Sequence, residues 1–378
     1  MENKTTENTP SFTLKHKIIL ILISIIGTLM VLEIGLRIYD VFKGRGFFSD
    51  YRNEIAEPMK PIIPFRTFGF DMYKEEDGQK FISSRFEELY PYEKPEGTFR
   101  IVCFGGSTTE NSYQQKRTGK HYPILLQNML REKFGRDNIE VINVGFSAYS
   151  TAHSLVVFEL NVLDWKPDLV ILSHNINDLT AMYWPGFSPD YANKYLDPFF
   201  NIPDYKDRYT LANTMFQHFK VYWEIKRDIN KVKRHFEKQK PLNRKSYGDK
   251  PNPEFQKVFE RNLASFASLG KENGIEVLFG SQPLCSEEEY FEDHFMEKPY
   301  NNVVVYPLHS EFINHHKAYN ESMKKVAEKN GVWFVDNNEV MKDDTKYYID
   351  SVHYTELGLE KLAENYCNFL LNKKIIKE

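Results

Sequence analysis

The chain is poor in cysteine, carries little net charge and contains no internal repeat or low-complexity segment. Its three cysteines lie far apart without metal-ligand spacing, and one stays unpaired in any scheme. We therefore predict that they are buried and structural: Cys103, Cys285 and Cys367. A net charge of −4 argues against a general nucleic-acid binder, which normally has a strongly basic face. Neither a cysteine metal cluster nor a nucleic-acid partner is indicated.

Apolar residues, in contrast, are abundant. The 378 residues are 41% hydrophobic and 15% aromatic, enough to bury a full core in one large domain with appendages. This composition excludes a disordered chain.

The N-terminal part contains a long apolar run, residues 18–32, which reaches about Leu36 if Glu33 is tolerated near an interface. Its length approaches the ~20 residues that span a bilayer. No small-x-small cleavage site follows, so we predict a membrane anchor, with a cleaved signal peptide and a buried core helix as alternatives. Basic residues on both sides leave the orientation open: Lys4, Lys15 and Lys17 before the run, and Arg37, Lys43 and Arg45 after it.

From residue 101 onward, short β-branched runs alternate with longer helical patterns, which is typical of a parallel sheet covered by helices. The predicted strands are 101–104, 140–144, 169–173, 276–279 and 332–335. The predicted helices are about 121–134, 151–164, 254–273, 311–329 and 357–371. The fold class is therefore α/β, a three-layer α/β/α sandwich around a five-stranded parallel sheet with right-handed crossovers.

Two segments lack this pattern. Residues 39–98 look like an irregular extension that covers the sheet, and residues 183–209 contain nine aromatics among several prolines, which favours an ordered cover. After the cover, apolar residues at spacings of three and four predict one amphipathic helix: Leu211, Met215, Phe219, Tyr222, Ile225, Ile229, Val232 and Phe236.

All five predicted strands end in small or polar residues. In open α/β sheets the site forms beyond the carboxyl ends of the strands, so these residues are expected to meet. In chain order the segments are Gly105-Gly106-Ser107, Asn143-Val144-Gly145, His174-Asn175-Ile176-Asn177-Asp178, Ser281-Gln282-Pro283, and the stretch with Asp350 and His353.

Ser107, His353 and Asp350 supply the groups of nucleophilic ester chemistry. A serine hydroxyl is a weak nucleophile until a histidine takes its proton, and a carboxylate orients that histidine. Asp and His three positions apart on a turn share one face, so the far ring nitrogen can face Ser107. The alternatives are structural, a plain turn and N-cap at Ser107 and a helix cap at Asp350. Activity should fall when acid protonates His353.

Three nearby groups are candidate donors to an oxyanion: the Ser107 amide at a helix N-terminus, the Gly145 amide and the side-chain amide of Asn177. A plain strand-to-helix turn at Gly145 and an Asn-Asp turn at Asn177 are the alternatives. Of the other histidines, His174 lines the site or only packs. Three are predicted to face solvent: His309, His315 and His316.

Four blocks in this order resemble the SGNH or GDSL hydrolase superfamily over about residues 98–372. They are Phe104-Gly-Gly-Ser107-Thr-Thr-Glu, Asn143-Val-Gly145, Asn175-Ile-Asn177-Asp178 and Asp350-Ser-Val-His353-Tyr-Thr-Glu-Leu-Gly358. The resemblance implies a flavodoxin-like hydrolase fold, with Ser107 as nucleophile, His353 as general base and Asp350 as its orienting acid. It also implies an oxyanion hole made by the amides of Ser107 and Gly145 and the side chain of Asn177.

Two positions depart from that family. Its Gly-Asp-Ser is Gly-Gly-Ser here, and the Gly of its Gly-x-Asn-Asp is Asn175, which is expected to narrow the pocket. The first change recurs in membrane-anchored relatives, which usually hold the hydrolase domain outside the cytoplasm. The implied organisation is an N-terminal tail (1–17), a transmembrane anchor (18–38), a juxtamembrane extension (39–98) and a hydrolase domain (99–372) with an insertion at about 180–250.

The sequence thus predicts a single-pass membrane protein whose extracytoplasmic domain is a serine esterase. Its substrate would be a small acyl ester, such as an acetyl ester, or an acylated glycan, with no cofactor or metal. An O-acyltransferase acting on a cell-surface polysaccharide is one alternative, since the rings of 183–209 can face sugars. A non-catalytic anchored binding module is the other, since basic residues near 220–240 can meet anionic head groups or glycans.

Overall fold

A computed structural model describes residues 13–43, 47, 69–86, 88–184, 186–195, 215–216, 219–238, 251–296, 307–342 and 344–376. The chain divides into two compact units. The first combines residues 1–59 with 202–241, and the second combines 60–201 with 242–378.

The described strands are β1 (Tyr73–Glu76), β2 (Gln79–Ser83), β3 (Leu89–Pro91), β4 (Phe99–Gly105), β5 (Ile139–Asn143), β6 (Leu169–Ser173), β7 (Glu276–Gly280) and β8 (Trp333–Val335). The described α-helices are α1 (Leu14–Phe42), α2 (Ser107–Glu110), α3 (Ser112–Thr118), α4 (Tyr122–Phe134), α5 (Thr151–Val157), α6 (Ile176–Leu179), α7 (Ala192–Tyr195), α8 (Lys220–Lys238), α9 (Glu254–Glu272), α10 (Glu288–Phe291), α11 (His309–Asn330), α12 (Asn337–Met341) and α13 (Glu356–Asn372). The shorter helical turns are two π-helical segments, Phe158–Val162 and Glu292–Met296, and three 3₁₀ turns, Leu163–Trp165, Thr180–Tyr183 and Thr345–Tyr347.

The first unit contains α1 and α8. α1 has 29 residues, is long and apolar enough to cross a membrane, and exposes most of its apolar side chains. Only part of the predicted amphipathic helix is seen in α8, which begins at Lys220. Met215 and Phe219 precede its start, and Leu211 lies outside the described residues.

The second unit is built on a five-stranded sheet in the order β5-β4-β6-β7-β8, with every neighbouring pair parallel. In chain order this is 2-1-3-4-5, so the predicted α/β sandwich and its flavodoxin-like order are confirmed. Parallel strands placed side by side put all five carboxyl ends at one edge, where ligands bind in such folds.

The strands form here because both faces of the sheet are covered by helices. Every residue of β5 and β6 is buried, and β6 reads as an apolar run of four residues before its terminal serine. On β4, Ile101 and Cys103 belong to the core cluster that includes α4 and α13. The alternate residue Phe104 points to the other face, where its ring packs 5.2 Å from that of Phe266 on α9.

A three-stranded antiparallel sheet, β1-β2-β3, occupies part of the segment predicted to be irregular, so that prediction was wrong for residues 73–91. The cause is the two-residue turn between β1 and β2, where Asp77 and Gly78 have φ values of 51° and 75°. Asp-Gly in this left-handed conformation matches the twist of a tight hairpin.

Two smaller predictions had different outcomes. The helix predicted over residues 151–164 is composite, because α5 continues into the π-helical segment and the 3₁₀ turn that ends at Trp165. All three cysteines are free and buried, as predicted.

Arg100 is a fully buried cation near the start of β4. Its Nε lies 2.7 Å from Glu140 Oε2 on β5, and its other nitrogens donate to the carbonyls of Trp165 and Pro91 at 2.7 and 2.8 Å. The guanidinium therefore joins the edge of the small sheet to the parallel sheet.

Replacing Arg100 with alanine should lower the free energy of unfolding by about 3–5 kcal/mol, because Glu140 and two carbonyls lose their partner in the interior. Denaturant unfolding of the detergent-solubilised chain measures this loss. Lys74→Ala is the matched control: Lys74 pairs with Glu76 while both side chains are about half exposed, so it should lose about 1 kcal/mol or less. Equal losses in the two variants would contradict this role of Arg100.

Candidate active site

The nucleophile candidate Ser107 is the first residue of α2, directly beyond the end of β4. Gly106 lies between them and allows the close approach of Asn177. A Cβ at this position would collide with the side-chain amide of Asn177. The carbonyl of Gly106 accepts from the amides of Thr109 and Glu110 at 3.1 and 2.9 Å, which fixes the first turn of α2. As the first amide of the helix, Ser107 N–H has no intrahelical acceptor.

The structure brings Ser107, His353 and Asp350 together. Nε2 of His353 lies 2.9 Å from Oγ of Ser107, although the two residues are 246 positions apart. Nδ1 of the same ring lies 2.9 and 3.0 Å from the two carboxylate oxygens of Asp350. The amide of His353 also donates to Asp350 at 3.0 Å, so the carboxylate and the ring share one turn.

A second imidazole contacts the same carboxylate. Nδ1 of His294 lies 3.1 Å from Oδ2 of Asp350, and its ring centroid is 5.5 Å from that of His353. Burial alone would raise the pKa of Asp350, but hydrogen bonds from His294 and His353 and their charges outweigh it and hold that pKa well below its usual range. Asp350 is therefore ionised at neutral pH.

The sequence pattern did not predict His294 as a residue of this site. It lies in the π-helical segment Glu292–Met296, far before Asp350 in the chain, and no spacing relates the two residues. The stretch follows the end of β7, but that position alone singles out no residue.

His294, Asp350 and His353 also offer three metal-ligand atoms within 4.8 Å of one another. Such a set has the donor types of a divalent-cation site. Both ring nitrogens of His353, however, already lie at hydrogen-bond distance from Ser107 and Asp350. Both nitrogens of His353 are thus already in contact with other groups of the site.

The three candidate donors to an oxyanion differ in the hydrogen bonds that they already make. The Gly145 amide donates to Oδ1 of Asn143 at 2.9 Å. Nδ2 of Asn177 donates to the carbonyl of Tyr149 at 2.9 Å, which leaves its second hydrogen for a ligand. Of these three candidates, the Ser107 amide and the second hydrogen on Nδ2 of Asn177 can thus donate without breaking a hydrogen bond already present.

A buried polar network contacts the backbone of Asn177 and the residue after it. Lys194, on α7, is buried, and its Nζ donates to the carbonyl of Asn177 and to Oγ1 of Thr180 at 2.6 and 2.7 Å. The neighbouring Asp178 accepts from Thr151 Oγ1 at 2.5 Å and from the Tyr191 hydroxyl at 2.8 Å. α7 and the residue before it therefore position the loop after β6.

Burial perturbs both charged members of this network. It lowers the pKa of Lys194 to about 7, although the charge of Asp178 opposes the shift. It raises the pKa of Asp178 to about 6, against the hydrogen bonds from Thr151 and Tyr191. Near neutral pH the ammonium is thus close to losing its proton.

The side chain of Asn175, the unusual residue of the third block, is bonded to α11. Its Nδ2 donates to the carbonyl of His316 and to Oδ1 of Asn320, both at 2.8 Å on α11. Gln282, after β7, accepts from the amide of Ile176 at 2.8 Å and donates to Oγ1 of Thr108 at 3.1 Å. The ends of β4, β6 and β7 are thereby connected.

Three other histidines pack within the second unit: His174, His315 and His316. His174 is buried with Nε2 2.7 Å from Ser154 Oγ, and burial lowers its pKa to about 3, so it packs as a neutral ring. The prediction that His315 and His316 face solvent was wrong. Burial lowers the pKa of His316 to about 3, and Nδ1 of His315 lies 2.9 Å from the Tyr183 hydroxyl.

The sequence model of the GDSL-like lipase/acylhydrolase family matches residues 103–361, more than half of the chain. None of the curated proteins compared with the chain matches it. Solved structures that match the chain include a putative acylhydrolase from Bacteroides fragilis, at 14% identity and a TM-score of 0.42, covering 75% of this chain and 91% of that one. Another is an acetylxylan esterase from Geobacillus stearothermophilus, at 17% identity and a TM-score of 0.40, covering 76% of this chain and 97% of that one.

The chain therefore belongs to the GDSL-like lipase/acylhydrolase family. Within that family it is an SGNH-type serine ester hydrolase.

Replacing His294 with alanine should lower kcat/KM for an acyl ester by about tenfold or less, because Asp350 loses one of the two imidazoles that contact its carboxylate. The kcat/KM of the variant and the wild type at one pH measures the loss. His294→Asn, which keeps a side-chain donor, should lose less, and an unchanged rate in His294→Ala would contradict this role of His294.

Lys194 should make stability depend on pH. The unfolded chain, where the ammonium keeps its ordinary pKa of 10.5, binds more protons than the folded chain between about pH 7 and 10.5. Stability therefore rises with pH in that window, by up to about 1.4 kcal/mol per unit. Lys194→Met should remove this contribution in denaturant unfolding at pH 7–10, whereas Lys257→Met, at an exposed site, should keep it. The same slope in both variants would contradict the prediction.

Proposed function

We propose that the chain hydrolyses an acyl ester through Ser107, His353 and Asp350. The observation that carries this is the continuous path from Ser107 Oγ to His353 Nε2 at 2.9 Å and from His353 Nδ1 to Asp350 at 2.9 Å. Distances of this size allow the proton to pass as the nucleophile attacks.

The chemistry proceeds in two halves. Ser107 Oγ bonds to the ester carbonyl carbon while its proton moves to Nε2 of His353, and the alcohol then leaves with that proton. A water molecule attacks the acyl-enzyme, gives a proton to the same nitrogen, and releases the carboxylic acid as Ser107 is re-protonated. Asp350, kept ionised, stabilises the imidazolium in both halves.

The oxyanion would be held by the Ser107 amide and the second side-chain hydrogen of Asn177. The Gly145 amide joins them by sharing its hydrogen with the Asn143 side chain, to which it now donates at 2.9 Å. Three donors of this kind match the charge that develops on the carbonyl oxygen.

For the substrate we propose a small acyl ester, with acetyl as the acyl group, carried by a simple alcohol or a glycan. Acyl transfer to a polysaccharide is less well supported, because the aromatics described in the segment that suggested it are mostly buried: Tyr183, Trp184, Tyr191 and Tyr195. The aligned triad argues against a non-catalytic binding module.

We also propose that α1 anchors the enzyme, with the catalytic domain outside the cytoplasm. The proposed anchor, residues 18–38, lies within α1, whose apolar side chains are too exposed for a core helix. The carboxylate of Glu33 accepts from two amides of α8, a contact that removal of a signal peptide would abolish.

Ser107→Ala should reduce the hydrolysis of p-nitrophenyl acetate by the detergent-solubilised chain about 10⁴-fold or more. The loss follows because the attacking oxygen is absent, while His353 and the oxyanion donors remain. A fluorophosphonate probe should label the wild type at Ser107 and leave the variant unlabelled.

Ser310→Ala is the matched control, because Ser310 is an exposed serine on α11. It should keep full activity and labelling. Full turnover by Ser107→Ala would exclude the proposed mechanism, and transfer of the acetyl group to an added glycan in place of water would favour the acyltransferase.

A further inference from the structure

The start of α8 is held by a charged stripe on α1. Oε1 of Glu33 accepts from the amide of Lys220 at 3.0 Å, and Oε2 accepts from the amide of Val221 at 2.8 Å. Arg37 Nε donates to Glu33 at 2.7 Å, and Lys220 Nζ pairs with Asp40. The carboxylate of Glu33 thus satisfies the first two amides of α8, as a capping side chain does, although Glu33 belongs to α1.

The position of this contact along α1 is informative. Glu33 is the first charged residue after the apolar run of residues 18–32. If the proposed anchor, residues 18–38, spans a bilayer, Glu33 lies in its C-terminal part, near the level where hydrocarbon gives way to head groups. The N-terminus of α8 is therefore fixed at the membrane surface, because its first two amides are bonded to Glu33.

α8 exposes an apolar stripe. Ile225, Ile229 and Val232 are 50%, 49% and 54% exposed and fall at i, i+4 and i+7, on one side of the helix. Trp223, in contrast, is buried. Large aliphatic side chains in a row are seldom left in water and mark an interaction surface.

The charge of α8 is opposite in sign to that of the whole chain. The helix contains seven basic and three acidic residues, whereas the chain has a net charge of −4. An amphipathic helix with an excess of Lys and Arg and an aliphatic stripe is typical of helices that lie in the interface of anionic membranes.

We propose that α8 is a membrane-surface helix, bound to the end of the anchor through Glu33, with its apolar stripe inserted among lipids. This inference rests on the proposed anchoring by α1. The partner is lipid, since the Glu33 contact places the start of the helix, about 28 Å long, at the bilayer surface. The stripe would lie about 5–10 Å below the head groups.

The full chain in nanodiscs with anionic lipid tests this, using single introduced cysteines labelled with an environment-sensitive fluorophore. The native cysteines are all buried, so the unmutated chain gives the labelling background. Ile225→Cys and Ile229→Cys report on the stripe, and Glu224→Cys is the control on the same helix, because residue 224 is partly exposed and lies about 100° around α8 from residue 225 and about 140° from residue 229. Ile23→Cys, within the apolar run, reports on the anchor.

The labels at 225 and 229 should emit at shorter wavelength than the label at 224. Nitroxides attached near the head of the acyl chain should quench them several-fold more strongly than the label at 224, and iodide in water should quench them less. The label at 23 should be quenched by nitroxides placed deep in the bilayer.

Iodide quenching of the labels at 225 and 229 that equals that of the label at 224 would overturn the proposal. Shielding from iodide without quenching by lipid nitroxides would overturn it too, since a protein surface or a second copy would then cover the stripe. Failure of the label at 23 to reach the deep nitroxides would instead reject the anchor, so the two proposals fail in distinguishable ways.

Discussion

The start of α2 lies so close to the ends of the neighbouring strands that two positions have no room for a side chain. A Cβ on Gly106 would collide with the amide of Asn177, and one on Gly145 would lie 2.8 Å from the amide nitrogen of Glu110. This approach fixes the candidate nucleophile, an oxyanion donor and the loop after β5 in one packed arrangement. The candidate chemistry depends on it, because a displacement of about 1 Å near reacting atoms can slow a reaction about 100-fold.

The sequence predicts the parallel sheet well because strands covered on both faces read as short, mainly apolar runs. β6 has the predicted bounds, and the other four strands differ by two residues or fewer at either end. The small antiparallel sheet was not predicted, because β1 is largely charged and exposed and shows no apolar alternation. Its only local signal was the Asp77-Gly78 turn.

The candidate site was predictable as far as topology brings its residues together. Ser107 and His353 follow different strands of one parallel sheet, and the carboxyl ends of such strands share an edge. His294 and Lys194 were not predictable, because each reaches the site through tertiary packing and not through spacing in the chain. The imidazole of His294 contacts the carboxylate of Asp350, and the buried amine of Lys194 donates to the carbonyl of Asn177. Both residues therefore act on the site through their electrostatics.

The charged stripe on α1 has a consequence for producing the enzyme in water. A chain shortened to start after α1 would leave Lys220 without Asp40, and the first amides of α8 without Glu33. The amphipathic helix would then expose both its apolar stripe and an uncapped end, two features that promote self-association. A truncated enzyme that stays monomeric therefore has to lose α8 together with α1, since the two helices complete one another.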